Sequence, residues 1–239
     1  MDKSAGRDMG NVANTDKLIV ALDFPAAAEA RALVTRLGDA VSFYKVGHEL
    51  LFAGGLELAR ALKGEGKRVF LDMKLLDIGN TMERSVANAA SMGVDFLTIH
   101  GHDTKTIRAA VTGRADSPLK ILAVTVLTNL SAEDVAEQGN AMTPAQLVLH
   151  RALLTYAAGC DGVIASGQEA AAIRAKTGPG FLIVTPGIRP AGEASGDQTR
   201  VMTPEAALAA GANHIVVGRP VTQAADPRAA ALGILSALS

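Results

Sequence analysis

The sequence predicts a single (β/α)8 TIM barrel, an α/β fold in which eight parallel strands alternate with helices. Eight short apolar runs recur along the 239-residue chain at a mean spacing of about 28 residues, the length of one strand, one helix and two loops. The runs are apolar almost throughout, as expected of strands that are buried on both faces. A doubly wound open sheet is the alternative, but no Gly-x-Gly-x-x-Gly motif follows the first run.

Two connections between the predicted strands are too long for plain linkers. Thr128–Met142 contains the capped-helix pattern Ser131-Ala-Glu-Asp134, and Gly187–Val201 is rich in glycine and polar residues. Loops longer than about 12 residues are usually functional, and both follow strand ends where barrel active sites form. The predicted strands are Leu18–Phe24, Phe43–Gly47, Val69–Lys74, Phe96–His100, Ile121–Leu127, Gly162–Ser166, Leu182–Thr185 and Ile215–Gly218.

Helices are predicted between the strands from their start and stop signals. Ala26–Leu37 is rich in alanine and has leucines four residues apart. Leu50–Lys63 precedes Gly64-Glu-Gly66, which is typical of a helix end. A threonine followed by proline predicts two further helix starts, at Thr143-Pro144 and Thr203-Pro204.

Composition limits the function and location of the chain. Hydrophobic residues make up 49% and the net charge is −1, with no basic stripe of the kind that binds nucleic acid. No run approaches the roughly 20 apolar residues of a membrane span. Cys160 is the only cysteine, which excludes an intramolecular disulfide and favours the cytoplasm. Residues 1–16 are polar and predict a flexible tail, and residues 17–239 form the predicted barrel domain.

The third predicted strand carries the strongest functional signal. Asp72 and Lys74 stand two residues apart, so they share one face of the strand, and Asp77 follows three residues later. Charges at this density need mutual pairing or a ligand. A purely structural ion pair is the alternative, but buried pairs stabilise poorly and a third acid makes this alternative weaker.

Most of the other strands also end in polar groups, which is the arrangement expected of an enzyme that acts on a small molecule. His100 and His102 could together bind zinc, but no third ligand has a suitable spacing, so we expect no metal. Glycines and arginines after strands 7 and 8 predict a phosphate site. The polar strand ends are Asp23, Lys45, His100, Thr125, Thr128, Arg189, Gly218 and Arg219.

The chain resembles the orotidine 5′-phosphate decarboxylase family in its short bacterial form. The resemblance extends from about Leu18 to Leu232, and its most specific pattern is Val69-Phe-x-Asp72-x-Lys74-x-x-Asp77-Ile-Gly-x-Thr81. Gly79 is one departure, because the family often has proline there and glycine is more flexible. The supporting motifs are Ala21-Leu-Asp23, Val124-Thr-Val-Leu-Thr128, Thr185-Pro-Gly-Ile-Arg189-Pro, Gly196-Asp-Gln198 and Gly218-Arg219-Pro220-Val-Thr222.

The resemblance implies a cofactor-independent decarboxylation that produces uridine 5′-monophosphate (UMP). Lys74 would donate a proton to C6 of the pyrimidine, and Asp72 would face the leaving carboxylate. Asp77 would come from the second subunit of a homodimer and would complete an alternating charge array with Lys45.

The resemblance also implies the residues that bind the substrate. Asp23 and Lys45 would contact ribose hydroxyls, with Thr81 of the partner subunit, and Thr128 would lie against the pyrimidine. The phosphate would be held by Arg189, Gln198, Gly218 and Arg219.

Three rival functions remain open at this point. A sugar-phosphate decarboxylase or synthase of the same barrel superfamily would use a similar Asp-x-Lys-x-x-Asp pattern with Mg²⁺. A non-catalytic UMP-binding protein would need the phosphate site but not a lysine between two acids. A Schiff-base aldolase would need a deprotonated Lys74, which neighbouring acids disfavour.

Overall fold

The computed structural model describes residues 14–190 and 201–238. Eight parallel strands close into a barrel in the order of the chain, which confirms the predicted (β/α)8 fold. The strands are β1 (Leu18–Ala21), β2 (Phe43–Val46), β3 (Arg68–Leu75), β4 (Phe96–His100), β5 (Lys120–Val124), β6 (Gly162–Ile164), β7 (Leu182–Thr185) and β8 (His214–Val217).

Helices follow the strands and cover the outside of the barrel. None of those formed by the described residues is long and apolar enough to cross a membrane. The helices are α1 (Asn14–Lys17), α2 (Ala27–Leu37), α3 (His48–Leu50), α4 (Leu56–Gly64), α5 (Gly79–Ser91), α6 (Thr104–Arg114), α7 (Ala132–Glu137), α8 (Pro144–Ala157), α9 (Gly167–Thr177), α10 (Pro204–Ala209), α11 (Arg219–Thr222) and α12 (Pro227–Ser236).

The predicted helix starts are found where the cap residues stand. Ser131 and Thr143 each form a capping box with the residue three positions on, and Thr203 accepts a hydrogen bond from the Ala206 amide. These side chains satisfy amide groups that would otherwise lack partners at the start of a helix.

The prediction of a single helix over Leu50–Lys63 is wrong, because the chain forms α3, a kinked segment (Leu51–Gly55) and α4 there. Gly54 has φ +89°, in the left-handed region that breaks a right-handed helix. The predicted ends of β1 and β5 each extend three residues beyond the observed ones, because Leu22–Phe24 and Thr125–Leu127 already belong to the loops above the barrel.

The core has an outer and an inner layer. The outer layer packs the strands against the helices, and the inner layer fills the barrel with the side chains that point inward from alternate strand positions. Three phenylalanine rings dominate the inner layer: Phe96 contacts Phe43 and Phe70 with ring centroids 5.0 and 6.0 Å apart. The barrel is therefore a packed core up to the level at which the polar site begins.

Helix α1 covers the lower end of the barrel, where the strands begin. Asp16 forms an ion pair with Arg68 at 3.2 Å, and its carbonyl oxygen bonds to the His214 ring at 2.8 Å. Residues 14–16, which the sequence assigned to a flexible tail, are thus part of a helix that contacts the barrel. The rest of the predicted tail lies outside the described residues.

Strand β3 is irregular where it reaches the upper end of the barrel. Its pairing with β4 shifts register between Leu71 and Leu75, and Lys74 has φ +47°. A left-handed conformation is rare for a residue with a Cβ atom and persists only where the surroundings impose it. This bulge turns the end of β3 at the position of the predicted catalytic lysine.

Candidate active site

A cavity of about 580 Å³ opens at the upper end of the barrel, above the phenylalanine layer. Its size is within the range of small-molecule sites. Eight of the residues predicted from the sequence line it, and they come from the ends of β1, β2, β3, β5, β7 and β8. These residues are Asp23, Lys45, Asp72, Lys74, Thr128, Arg189, Gly218 and Arg219.

Two acids and two lysines alternate along one side of the cavity. The Lys45 ammonium lies 3.0 Å from an oxygen of Asp23 and 3.4 Å from an oxygen of Asp72. The same Asp72 oxygen lies 2.8 Å from the Lys74 ammonium. The order Asp23–Lys45–Asp72–Lys74 therefore forms a continuous chain of opposite charges across three neighbouring strands.

The central members of this chain are held in their charged forms. Burial alone would lower the pKa of Lys45, but Asp72 and then Asp23 outweigh it and raise that pKa. Burial alone would raise the pKa of Asp72, but Lys45 and Lys74 outweigh it and lower that pKa. The site therefore keeps a buried carboxylate and a buried ammonium at neutral pH.

Both ends of the chain of charges are more exposed than its centre. The side chains of Asp23 and Lys74 are 49% and 27% exposed, compared with 13% for Asp72 and 10% for Lys45. An ammonium group has three donors, so a ligand in the cavity can approach Lys74 while Asp72 fixes its position. This arrangement differs from a structural ion pair, in which both groups would be closed off from a ligand.

Gly47 is a part of the site that sequence reasoning missed. A Cβ atom at this position would lie 2.9 Å from the Lys45 ammonium and 3.2 Å from an Asp23 oxygen. Any side chain there would displace the first ion pair. The sequence did carry a signal for Gly47, because this glycine directly follows the strand that contains Lys45.

Thr98 was also missed, although it touches both predicted catalytic residues of β3. Its hydroxyl donates to an Asp72 oxygen at 2.9 Å and accepts from the Lys74 amide at 2.9 Å. The residue is fully buried on β4. An inward-facing threonine two residues before a strand-end histidine has no distinctive pattern by which it could have been recognised.

The cavity is also lined by the two predicted arginines. Arg189 follows β7, and its guanidinium donates to the Ile188 carbonyl at 2.8 Å. The backbone of this segment is fixed by a hydrogen bond from the Arg189 amide to Met202 at 3.0 Å. Gly218 and Arg219 follow β8. Gln198, the remaining predicted phosphate ligand, lies outside the described residues.

Two of the polar strand ends do not line the cavity. Thr125 is buried and donates to the Ile164 carbonyl at 2.9 Å, whereas Val124, Val126 and Leu127 face the cavity with Thr128. His100 instead packs against His102, with ring centroids 4.7 Å apart. The described residues contain no group of three His, Cys, Asp or Glu side chains that could hold a metal ion.

Asp77 and Thr81 lie on the surface next to the site, outside the residues that line the cavity of a single chain. Asp77 accepts a hydrogen bond from the Ile78 amide at 2.6 Å. Its neighbours are exposed apolar residues: Ile78 is 74% exposed and Leu76 is 52% exposed.

A sequence model of the orotidine 5′-phosphate decarboxylase / HUMPS family matches residues 16–234 of the chain. The chain belongs to this family. Membership of the orotidine 5′-phosphate decarboxylase / HUMPS family confirms the resemblance inferred from the segment around Asp72 and Lys74.

Curated relatives named orotidine 5′-phosphate decarboxylase match almost the whole chain. The protein of Methylorubrum populi is 55% identical over 221 residues, which cover 92% of this chain and 94% of that protein. The protein of Rhodopseudomonas palustris is 54% identical over 220 residues, which cover 92% and 93% of the two chains.

Solved structures agree with the family and with the fold. The crystal structure of orotidine 5′-phosphate decarboxylase from Lactobacillus acidophilus is 37% identical, with a TM-score of 0.82 over 93% of this chain and 98% of that one. The enzyme of the same name from Pyrococcus horikoshii is 27% identical, with a TM-score of 0.73 over 92% and 98%.

Proposed function

We propose that this chain decarboxylates orotidine 5′-phosphate to UMP without a cofactor, in pyrimidine biosynthesis, and that Lys74 protonates C6. The observation that carries this proposal is the chain of charges Asp23–Lys45–Asp72–Lys74 inside the barrel cavity of a family member. The names of the curated relatives support the reaction, and the single, buried cysteine supports a cytoplasmic location.

The chemistry of this reaction explains why a fixed cation is needed. Loss of CO₂ from C6 leaves an electron pair in an sp² orbital that lies in the plane of the pyrimidine ring. The π system cannot spread this charge, so it must be stabilised electrostatically where it forms. An ammonium group at C6 provides that stabilisation and then supplies the proton that replaces CO₂.

In the proposed mechanism, Lys74 and Asp72 act as a pair. Asp72 holds the Lys74 ammonium at 2.8 Å and would face the substrate carboxylate. Because the lysine is fixed before the substrate arrives, little reorganisation is needed as the negative charge develops. Lys45 fixes Asp72 in turn, at 3.4 Å.

The remainder of the cavity suits the rest of the nucleotide. Asp23 and Lys45 line the cavity and would hydrogen-bond ribose hydroxyls, and Thr128, which also lines it, would lie against the pyrimidine. Arg189 and Arg219 also line the cavity and would provide positive charge for the phosphate, and we assign Gln198 and Gly218 to the same group. Binding energy from a phosphate remote from the reacting bond can be used to accelerate the chemical step.

We further propose that two copies of the chain share their sites. Asp77 and Thr81 would enter the cavity of the partner subunit, where Asp77 would provide a second carboxylate near Lys74. The exposed Leu76 and Ile78, which flank Asp77, support this arrangement because apolar residues of this size favour burial against another surface.

The test of the function is an absorbance assay with orotidine 5′-phosphate, with UMP identified by chromatography. We expect UMP to form at the same rate with and without EDTA, and orotidine, which lacks the phosphate, to be a far poorer substrate. Absence of UMP would refute the proposal. Equal turnover of orotidine would refute the assignment of the phosphate site.

A Mg²⁺-dependent sugar-phosphate decarboxylase or synthase is the second candidate, because the matched family model covers more than one activity. In the chain described here, Asp23 and Asp72 are already paired with lysines, which makes them poor ligands for a divalent cation. Loss of activity on addition of EDTA would favour this second candidate. A UMP-binding protein would bind UMP in the same experiment but would form no product.

A further inference from the structure

Thr98 connects the backbone and the side chains of the proposed catalytic pair. It lies on β4, beside the bulge of β3, and its hydroxyl reaches both Asp72 and the Lys74 amide at 2.9 Å. The residue has no exposed surface and does not line the cavity, so it cannot contact a substrate.

The direction of both hydrogen bonds is fixed by the chemistry of the groups. A backbone amide can only donate, so the Thr98 oxygen must accept from Lys74. The single hydroxyl proton is then directed to Asp72, whose carboxylate accepts it. The hydroxyl therefore stabilises the ionised form of Asp72 and holds the Lys74 backbone at the same time.

The bond to the amide matters because the Lys74 backbone is in an unfavourable conformation. At φ +47°, lysine is in the left-handed region, which is unfavourable for a residue with a Cβ atom. The regular pairing of β3 with β4 is interrupted between Leu71 and Leu75, so ladder hydrogen bonds do not fix this residue. Thr98 provides a side-chain bond at the point where the ladder is interrupted.

We propose that Thr98 is a positioning residue for the decarboxylation, which directs the Lys74 ammonium by bonding the Asp72 carboxylate and the bulged Lys74 amide together. This inference rests on the proposed function for its kinetic test but not for its structural one. Loss of the hydroxyl would leave a buried amide unsatisfied and would allow the end of β3 to relax toward a regular strand.

The test compares Thr98→Val, Thr98→Ser and Thr98→Ala with the unchanged protein. Valine keeps the shape of threonine but removes the hydroxyl, and serine and alanine differ from each other by the hydroxyl alone. We expect kcat to fall about 10- to 100-fold in the valine and alanine variants, as for the loss of a hydrogen bond to a charged group. KM should change less than kcat, and serine should restore most of kcat.

A pH profile separates positioning from a merely structural role. Without the hydroxyl, the pKa of Asp72 should rise, so the acidic limb of kcat/KM should move to higher pH in Thr98→Val. The other titratable groups that act on Asp72 are Lys45, Lys74 and His100, and the variant keeps all three.

Thr155→Val is the matched control. Thr155 is fully buried on α8, and its hydroxyl has no hydrogen-bond partner among the described residues. Removal of this hydroxyl should leave kcat and the pH profile unchanged. An equal loss of kcat in Thr98→Val and Thr155→Val would overturn the inference, because general loosening of the fold would then account for both.

Hydrogen exchange at the Lys74 amide provides a readout that does not depend on catalysis. Exchange should accelerate in Thr98→Val and Thr98→Ala and remain slow in Thr98→Ser.

If the unchanged protein forms no UMP, the proposed function fails while the exchange result still decides the role of Thr98. Unchanged exchange together with a kcat within twofold of the starting value would refute that role. If the valine variant does not fold, the serine and alanine pair decides the same question.

Discussion

The two ends of strand β3 use the same kinds of side chain for different purposes. At the lower end, Arg68 lies between Asp16 and Asp95 at 3.2 and 3.3 Å. At the upper end, Asp72 lies between Lys45 and Lys74 at 3.4 and 2.8 Å. Both ends therefore place one charge between two opposite charges, a few residues apart on one strand.

The surroundings of these charges differ. The lower cluster is bonded to other parts of the fold: the Arg68 guanidinium lies 4.2 Å from the centre of the Phe43 ring, and Asp95 also accepts the Val69 amide at 2.8 Å and Lys63 at 2.7 Å. The upper cluster opens on a cavity, and its last residue, Lys74, has a strained backbone. We therefore expect the lower cluster to stabilise the fold and the upper one to serve the proposed reaction.

Alanine substitutions at the two ends of β3 are the strongest test of this difference. Lys74→Ala should reduce kcat by a factor of about 10⁴ or more, because it removes the group that we propose as both the electrostatic partner and the proton donor. Arg68→Ala should leave kcat nearly unchanged but lower the free energy of unfolding by about 1–3 kcal/mol. Steady-state kinetics and denaturant unfolding of both variants measure the two effects.

The two clusters would not differ in role if both substitutions changed kcat and the free energy of unfolding in the same way. A Lys74→Ala protein with near-normal turnover would remove the lysine from the mechanism. An Arg68→Ala protein with unchanged stability and reduced kcat would place the lower cluster in the catalytic machinery instead.

A mixture of two inactive variants tests whether a second copy of the chain supplies Asp77 to the upper cluster. If Asp77 acts in the partner subunit, Lys74→Ala and Asp77→Ala proteins should regain activity when their subunits exchange. Half of the dimers would be mixed, each with one intact site, so about a quarter of the full activity should return. Lack of recovery after subunit exchange has been verified by mass spectrometry would show that each chain uses its own Asp77.

The Asp72–Lys74 pair of the upper cluster could be predicted from the sequence because the two residues are close together in the chain. Asp72 and Lys74 stand two residues apart on one strand, so their common face follows from the strand alone. Thr98 could not be found in this way, since its importance depends on which neighbouring strand it faces and at what register.

The lower cluster was missed because its members are distant in the sequence. Asp16 was assigned to a tail, yet it meets His214 across 198 positions of the chain. Only closure of the barrel, which brings β1 next to β8, places them together. The alternation of apolar runs predicted that closure, but not which polar residues would fill the lower end.

The stability of the lower cluster should depend on pH through His214. Burial, together with the charge on Arg68, lowers the pKa of His214 to about 4 against the opposing effects of the Asp16 carbonyl and carboxylate. In the unfolded chain, histidine titrates near 6.5, so between these values the unfolded state binds more protons. The free energy of unfolding should therefore decrease as the pH falls from about 6.5 to about 4, by on the order of 2–3 kcal/mol from this residue.

His214→Asn measures this contribution, because the asparagine amide can still donate to the Asp16 carbonyl but does not titrate. The variant should be less stable at neutral pH, since it loses the ring contact with Phe96 at 5.2 Å, but its stability should decrease less steeply toward pH 4. His100, whose pKa burial also lowers to about 4, contributes to the slope in both proteins.

The matched control is His150→Asn, at an exposed position on α8, which should leave the slope unchanged. If denaturant titrations from pH 4 to 7 gave His214→Asn the same slope as the starting protein, burial of His214 would not disfavour its protonation in the fold.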